Sequence, residues 1–498
     1  MSLTVAEIRD RAERLHAALA EEVFEARAGR KAWSQLRPLY ASQSVLEFST
    51  SMPVIQRDLA SAGGDEFRCL ERLLGWVAEH HVRSANAELD DEFEQWAASV
   101  TMPHAGSSIP VRTLPSLIGT TNDRSARREL DALRSEALAD ALPLQLDRLN
   151  RWRTASVELG FGEYRHAMQR LTGLNLVVVS REGRRFVEDT NDLYFDSLER
   201  YLSKYLSLTR SDAESHDAMW LGRQSWADGM CNEAAILETV GGDLRDIGLP
   251  LEADGRIELA IEAFPSPGMR PSCAAIHVPD RIQLFVTPTT SAPGCRTLLR
   301  EIGRALHWAY TSPRLPFELR TLGDGSVVDA HATLFGGLGR SSSWIGRAQG
   351  IDGDALGEYV RFAAFLELYA VRRMVARLTF DIELSQSERP GALGPRWAEL
   401  MLEITGFRHD PRAFLAELGQ RFGVARRLRA RMLAALLARE LKSRFDDDWY
   451  RNPRTGPYLG DWLAGGLTYD ARELAVKLGA QSLVSDELGA SIRRRLEG

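Results

Sequence analysis

The sequence predicts a mainly α-helical protein with one small β-sheet, and the spacing of apolar residues supports both parts. In the first hundred residues, Val5, Ile8, Leu15 and Leu19 recur near helical spacing, which is typical of an amphipathic helix. Similar patterns return at about 123–171, at 190–208 and from about 295 to the end. Between about 240 and 290, alternating polar and apolar segments indicate a small antiparallel sheet.

Two places in the chain carry residues that end helices. Residues 101–120 are rich in proline, glycine and serine, among them Pro103, Gly106 and Pro110, and this composition predicts a linker or loop. Pro143 is expected to break the long helical stretch around it, because proline cannot supply the backbone N–H that a helix interior needs.

Composition and charge exclude several classes of function. The 498 residues include 69 acidic and 62 basic side chains, for a net charge of −7, so we expect no nucleic-acid partner. No stretch approaches the roughly 18 apolar residues of a membrane helix, and the charged N-terminus has no signal-peptide pattern. The cysteines are far apart and predict reduced thiols in a cytoplasmic protein. They are Cys69, Cys231, Cys273 and Cys295.

The segment from 295 to 335 carries the strongest functional pattern. Arg300 and Arg304 are four residues apart on a predicted helix, so they share one face, and Glu301 lies beside that face. Asp329 follows 25 residues after Arg304. A zinc peptidase has H-E-x-x-H in such a helix, with two histidines on the metal and a glutamate that activates water. Here the same frame reads R-E-x-x-R.

The surrounding residues resemble the thimet oligopeptidase and oligopeptidase F family of zinc metallopeptidases. The similar segments are 270–279, 298–307, 315–329 and 448–459. The resemblance is strongest over residues 205–498. It implies a two-lobed, helical, zincin-type fold with a deep cleft, formed by an N-terminal helical lobe at 1–205 and a catalytic-like lobe at 206–498 that carries the sheet.

The resemblance assigns a role to each residue of the frame. Arg300 and Arg304 stand where the two zinc histidines belong. Glu301 keeps the place of the general base, and Asp329 takes the place of the third ligand. Because arginine stays protonated and offers no lone pair, we expect no zinc and no other cofactor. The family's late tyrosine or histidine also has no counterpart, since Met432 stands near its expected place and His409 is the only histidine between 408 and 449.

A charge argument suggests what replaces the metal. Two guanidinium groups bring the same two positive charges as Zn²⁺ with neutral histidines. We therefore expect Arg300 and Arg304 to pair with Glu301 and Asp329 and to hold the two helices together. The basic run at 426–431 is predicted to be a solvated or cleft-facing helix rather than a nucleic-acid site.

Three histidines are further candidates for the cleft: His277, His307 and His331. A hydrogen-bonded structural role is the first interpretation for His307. The alternative is a relocated metal site formed by His307, His331 and Asp329, which would require side chains of two helices to converge. His277 is interpreted as a residue of the sheet or of the pocket wall.

Two functional hypotheses follow. The first is a catalytically inactive oligopeptidase-like protein that binds a peptide or peptidyl ligand in its cleft, paired with an edge strand; the candidate strand is 281–287. The arginines would favour an anionic group such as a C-terminal carboxylate, and a protein partner is a second expectation. The alternative is a divergent metallopeptidase, or a repurposed hydrolase with Glu301 as general base. A purely structural scaffold is also left open.

Overall fold

The computed structural model describes residues 3–42, 46–160, 162–262, 269–418 and 422–497, which are mostly helical. The helices of the first part are α1 (Val5–Arg27), α2 (Arg37–Ala41), α3 (Phe48–Leu59), α4 (Gly64–Ser99), α5 (Leu114–Thr120), α6 (Arg124–Asp140), α7 (Leu142–Glu158), α8 (Tyr164–Thr172), α9 (Leu176–Asp189), α10 (Asn191–Leu206), α11 (Ser215–Arg223) and α12 (Glu233–Asp246). The remainder are α13 (Ala292–Tyr310), α14 (Phe317–Arg320), α15 (Gly325–Leu338), α16 (Ser342–Gln349), α17 (Gly353–Gln386), α18 (Gly394–Thr405), α19 (Gly423–Phe445), α20 (Thr455–Ala464), α21 (Ala471–Lys477) and α22 (Asp486–Glu497). The mainly helical prediction is confirmed.

The prediction that residues 101–120 form a linker or loop is wrong in part, because this segment forms a β-hairpin followed by α5. Strands β1 (Thr101–His104) and β2 (Ser107–Pro110) pair antiparallel. The hairpin turns at Ala105 and Gly106, whose φ angles are 48° and 77°; positive φ at both central residues suits a tight hairpin turn. The prolines fit because a two-stranded ribbon has an outer edge where no N–H is required. Pro143 does separate two helices, α6 and α7, as predicted.

The second sheet has three strands in the order β3-β5-β4, where β3 is Ile257–Ile261, β4 is Ser272–His277 and β5 is Arg281–Val286. Strand β4 pairs antiparallel with β5, and β3 pairs parallel on its other side. The prediction that 281–287 is an edge strand is therefore wrong. The apolar run of β5 is buried on both faces, which is typical of a central strand.

The sheet lies between two helices. On one face, Ile282 and Leu284 of β5 join a core cluster with Leu298 and Ile302 of α13. On the other face, Phe24 of α1 packs edge-to-face on Phe285 at 6.4 Å between ring centroids. The sheet thereby fixes α13, which carries the frame at 300–304, relative to the first helix of the chain.

Helices α13 and α15 approach each other closely at glycines. A Cβ atom on Gly303 would lie 2.7 Å from the His331 carbonyl oxygen and 2.9 Å from Phe335 Cβ. A Cβ on Gly336 would lie 2.5 Å from Arg300 Cγ. This contact leaves no room for a larger residue and brings position 329 beside positions 301 and 304.

Ion pairs tie α1 to the elements around the sheet. Arg9 Nε lies 2.6 Å from the fully buried carboxylate of Glu318. Glu13 pairs with Arg320 at 2.9 Å, and Arg281 pairs with Glu21 at 3.0 Å. The largest core cluster also joins residues from before and after position 205. The first helix is thus bound to the part of the chain that holds the frame.

Across the described ranges, no helix is both long and apolar enough to cross a membrane.

Replacement of Gly303 by alanine should destabilise the protein, because the new methyl group meets backbone on the facing helix. We expect a loss of about 1–3 kcal/mol in the free energy of unfolding, measured by urea denaturation. Gly337→Ala is the matched control: it lies on α15, with nothing within 4 Å of its added Cβ, and should gain up to about 1 kcal/mol. An equal change in the free energy of unfolding in the two variants would contradict the close contact between α13 and α15.

Candidate functional site

Arg304 lies at the centre of the site that the sequence indicates. Its Nη1 is 2.5 Å from each carboxylate oxygen of Glu301, and its Nη2 is 2.8 Å from Asp329 Oδ1. Although burial lowers the pKa of Arg304, Glu301 and Asp329 raise it above the ordinary value overall. One planar guanidinium therefore joins the two carboxylates and links α13 to α15.

Both carboxylates have a further partner. The backbone N–H of Cys273, on β4, donates to Glu301 Oε2 at 3.1 Å. Arg426 of α19 lies 3.0 Å from Asp329 Oδ2. Burial raises the pKa of Asp329, but Arg426 and Arg304 hold it below its ordinary value. The site is an ionic network of three helices and one strand.

Arg300 does not make the ion pair that we expected. Its Nη1 lies 3.2 Å from Thr333 Oγ1, and within the described residues no carboxylate lies within 4.0 Å of its guanidinium. The reason is steric and electrostatic. The aliphatic part of the side chain lies over Gly336, and Arg304 already occupies both carboxylates. Burial, together with Arg431 and Arg304, lowers the pKa of Arg300 to about 10.

The basic run on α19 is only partly in solvent, because Arg427 is exposed whereas Arg429 and Arg431 are buried. Besides Arg426, Arg429 contacts Asp324 at 3.1 Å, and Arg431 contacts Glu367 at 3.1 Å. Glu367 is 6% exposed and is shared with two more arginines, Arg340 at 3.6 Å and Arg495 at 2.8 Å. The sequence pattern did not identify Glu367, because its partners lie on three distant segments.

His307 and His331 are fully buried and contact each other, with their Nδ1 atoms 3.2 Å apart. His331 Nδ1 is also 3.0 Å from the Val327 carbonyl oxygen. Because a carbonyl only accepts, His331 donates there and His307 Nδ1 is the acceptor between the rings. Burial lowers the pKa of His331 to about 4, and burial and His331 hold that of His307 well below its ordinary value. Both rings are neutral.

The relocated metal site is not formed, because Asp329 faces Arg304 and Arg426 rather than the two imidazoles. His277 ends β4 and is exposed. Met432, at the expected place of the late tyrosine, is 1% exposed in the main core. His409 is partly buried and contacts Trp397.

A different group of possible metal ligands occurs on α11, within the part of the chain that the structure describes: Glu214, His216 and Asp217. These side chains form the N-terminal cap of that helix. Four arginines neutralise them: Arg124 and Arg127 contact Asp217, and Arg128 and Arg408 contact Glu214. The group is a structural ionic cluster.

The residues of the frame do not fit a zinc ion. Positions 300 and 304 present guanidinium groups, which have no lone pair to donate. A cation between Glu301 and Asp329 would have to displace Arg304 from its contacts with three carboxylate oxygens. Zinc sites of this type depend on nitrogen ligands in addition to carboxylates.

Removal of the Arg304 side chain should destabilise the protein strongly. In Arg304→Ala, Glu301 loses its ion-pair partner inside the protein, whereas Asp329 keeps Arg426. We expect a loss of roughly 3–5 kcal/mol, measured as the free energy of unfolding in denaturant. The control is Arg14→Ala, which breaks an exposed ion pair with Asp10 and should change stability little. A loss in Arg304→Ala as small as in the control would contradict a structural role.

The neutral histidine pair predicts a pH dependence. A histidine whose folded pKa is about 4 binds a proton only after unfolding when the pH lies between about 4 and 6.5. Its contribution to stability is complete above pH 6.5 and is lost as the pH falls towards 4. His331→Asn should reduce the slope of unfolding free energy against pH by about 1.4 kcal/mol per unit in that window. His166 is exposed, and His166→Asn should leave the slope unchanged. If the slope for His331→Asn equals the slope for His166→Asn, burial of a neutral ring at His331 is contradicted.

No protein-family model and no curated protein matches the chain in sequence. Solved structures do match in fold. One is a protein assigned as an oligoendopeptidase F from Bacillus anthracis str. Ames, with a TM-score of 0.63 and 11% identity over 100% of this chain and 96% of that chain. Another is BsuCP, with a TM-score of 0.62 and 12% identity over 99% and 98%. The chain therefore has an oligopeptidase-like fold along its whole length, as the sequence predicted.

Proposed function

We propose that this chain is a catalytically inactive, oligopeptidase-like protein that binds a peptide or peptidyl ligand in the cleft beside β4. The observation that carries the proposal is the position of Arg304, which bonds both Glu301 and Asp329. These are the two carboxylates that zinc chemistry would need. A partly buried guanidinium, paired with both carboxylates, supports a structural role for them.

The geometry also weighs against Glu301 as a general base without metal. Both oxygens of Glu301 accept from Arg304, and one also accepts from the Cys273 N–H. A general base needs a free lone pair within hydrogen-bond reach of a substrate or water. These contacts leave Glu301 one lone pair, on Oε1, for the alternative of a divergent or repurposed hydrolase, and that oxygen already accepts from Arg304.

Peptide binding is supported by the edge of the sheet. Within the described ranges, β4 pairs only with β5, so its other edge presents backbone groups. Cys273 already uses its outward N–H to bind Glu301. In an antiparallel strand the outward residues alternate, which makes Ala275 the next position available to an added strand. The edge of β4 therefore has main-chain groups that suit an extended peptide, which supports the proposal.

The proposal is tested by metal content and hydrolysis. The purified protein, incubated with ZnCl₂ and dialysed, should contain far less than one zinc per chain by elemental analysis. A pool of internally quenched peptides should remain uncleaved, with or without 1,10-phenanthroline. Stoichiometric metal together with chelator-sensitive cleavage would overturn the proposal in favour of a divergent metallopeptidase. Cleavage that resists the chelator and is lost in Glu301→Gln would favour the repurposed hydrolase.

The triple variant Arg300→His, Arg304→His and Asp329→Glu tests the placement of the frame. If these positions correspond to the zinc ligands, the variant should take up about one zinc per chain with or without recovered activity, since two imidazoles and a carboxylate then converge. The matched control keeps Arg304 and changes only Arg300→His and Asp329→Glu; it should bind no zinc. Equal zinc content in both variants would contradict the central place of residue 304.

A further inference from the structure

One edge of the Arg300 guanidinium has no partner. Its Nη1 donates to Thr333 Oγ1 at 3.2 Å, whereas Nε and Nη2 make no hydrogen bond within the described residues. Neither of these two nitrogens is fully enclosed, and the side chain keeps part of its surface in solvent. Because Nε–H and Nη2–H point the same way from the planar group, they form a two-pronged donor that a ligand can reach.

The guanidinium of Arg300 is held in one orientation. Thr333 Oγ1 donates to the Asp329 carbonyl oxygen at 2.7 Å, so its lone pairs are left for Nη1 of the arginine. The aliphatic part of the arginine lies against Gly336, where an added Cβ would be 2.5 Å from Cγ. A donor fixed in this way loses little rotational freedom when it binds a ligand.

The charges around Arg300 favour an anion. The two carboxylates of the frame are already paired with Arg304 and Arg426, which leaves the charge of Arg300 in excess. Burial and the neighbouring arginines lower its pKa for this reason. A carboxylate bound at the free edge would supply the missing opposite charge and would accept from both prongs at once.

The edge of β4 leads to this group. The outward N–H of Cys273 donates to Glu301, the residue next to Arg300 on α13. A strand added at Ala275 therefore finds no free donor at the next outward position, and its paired backbone ends beside the frame. A peptide has a carboxylate at one end and an ammonium group at the other, and an excess positive charge attracts only the first.

We propose that Arg300 binds the C-terminal carboxylate of the peptide whose backbone adds to the edge of β4. The inference rests on the proposed function, because it names the chemical group by which that peptide is selected. The carboxylate accepts from Nε and Nη2 in a bidentate pair, which suits the planar fork. The protein therefore selects free C-termini over internal segments of longer chains, whose backbone carries no charge at this position.

The test uses two pools of acetylated hexapeptides with the same random sequences, one ending in a free carboxylate and one in an amide. Each pool is passed over the immobilised full chain at pH 7, and retained peptides are quantified by mass spectrometry. The free acids should be retained about tenfold or more over the amides, as expected for a charge-assisted pair. Arg300→Gln should abolish this preference, and Arg300→Lys, which keeps the charge without the fork, should retain part of it.

The matched control is Arg112→Gln, which removes one positive charge at an exposed position and should keep the preference. Circular dichroism should show that Arg300→Gln is folded and at least as stable to heat as the unmodified protein, because it removes a charge that burial and neighbouring arginines oppose. Marked destabilisation of this variant would overturn the inference, since it would assign a structural role to Arg300.

The remaining outcomes separate this inference from the proposed function. Equal retention of acids and amides would overturn the inference and leave the proposed function standing, because peptides still bind. Selection, within the amide pool, of peptides rich in aspartate or glutamate that is lost in Arg300→Gln would overturn it in favour of a side-chain carboxylate. Retention of no peptide from either pool would overturn both.

Discussion

The forked contact of Arg304 with Glu301 and Asp329 is the interaction on which the arrangement of α13, α15 and the neighbouring sheet depends. It joins α13 to α15, and through the Cys273 N–H it reaches the sheet. Removing two charges from water is costly, so such a pair persists only when geometry and further hydrogen bonds are good. Here both carboxylates have additional donors, and Arg426 extends the network to a third helix. The arrangement joins three helices and the sheet through side chains and one backbone N–H.

The guanidinium groups near the frame also oppose one another electrostatically. Arg300 lacks a carboxylate partner in the described part of the chain, and its pKa falls to about 10 because burial and neighbouring arginines oppose its charge. Arg340 has a similar electrostatic environment. Burial lowers its pKa to about 9, although Glu367 opposes the change. The protein interior around Arg300 and Arg340 is thus rich in positive charge. Glu367, shared by three arginines, is the main compensating group.

The sequence predicted the helices and the small sheet well, because amphipathic spacing and alternation are local signals. It placed Glu301 beside Arg304 for the same reason, since residues three apart on a helix are neighbours. Prediction from the sequence failed for features that depend on contacts between residues far apart in the chain. The close contact between Gly336 and the aliphatic part of the Arg300 side chain decides which arginine forms the ion pairs. The central position of β5 depends on β3, which pairs with its other edge.

The bond between Arg9 and Glu318 spans 309 residues of chain, and it has a consequence for biosynthesis. A ribosome adds roughly 5–20 residues per second, so the first helix waits on the order of tens of seconds before its partner emerges. During that interval Phe24 and its apolar neighbours, which finally rest on the sheet, have nothing to cover them. Contacts of such long separation slow folding and expose nascent chains to aggregation. Helix α1 is therefore a natural client for chaperones until the segment that carries Glu318 has been translated.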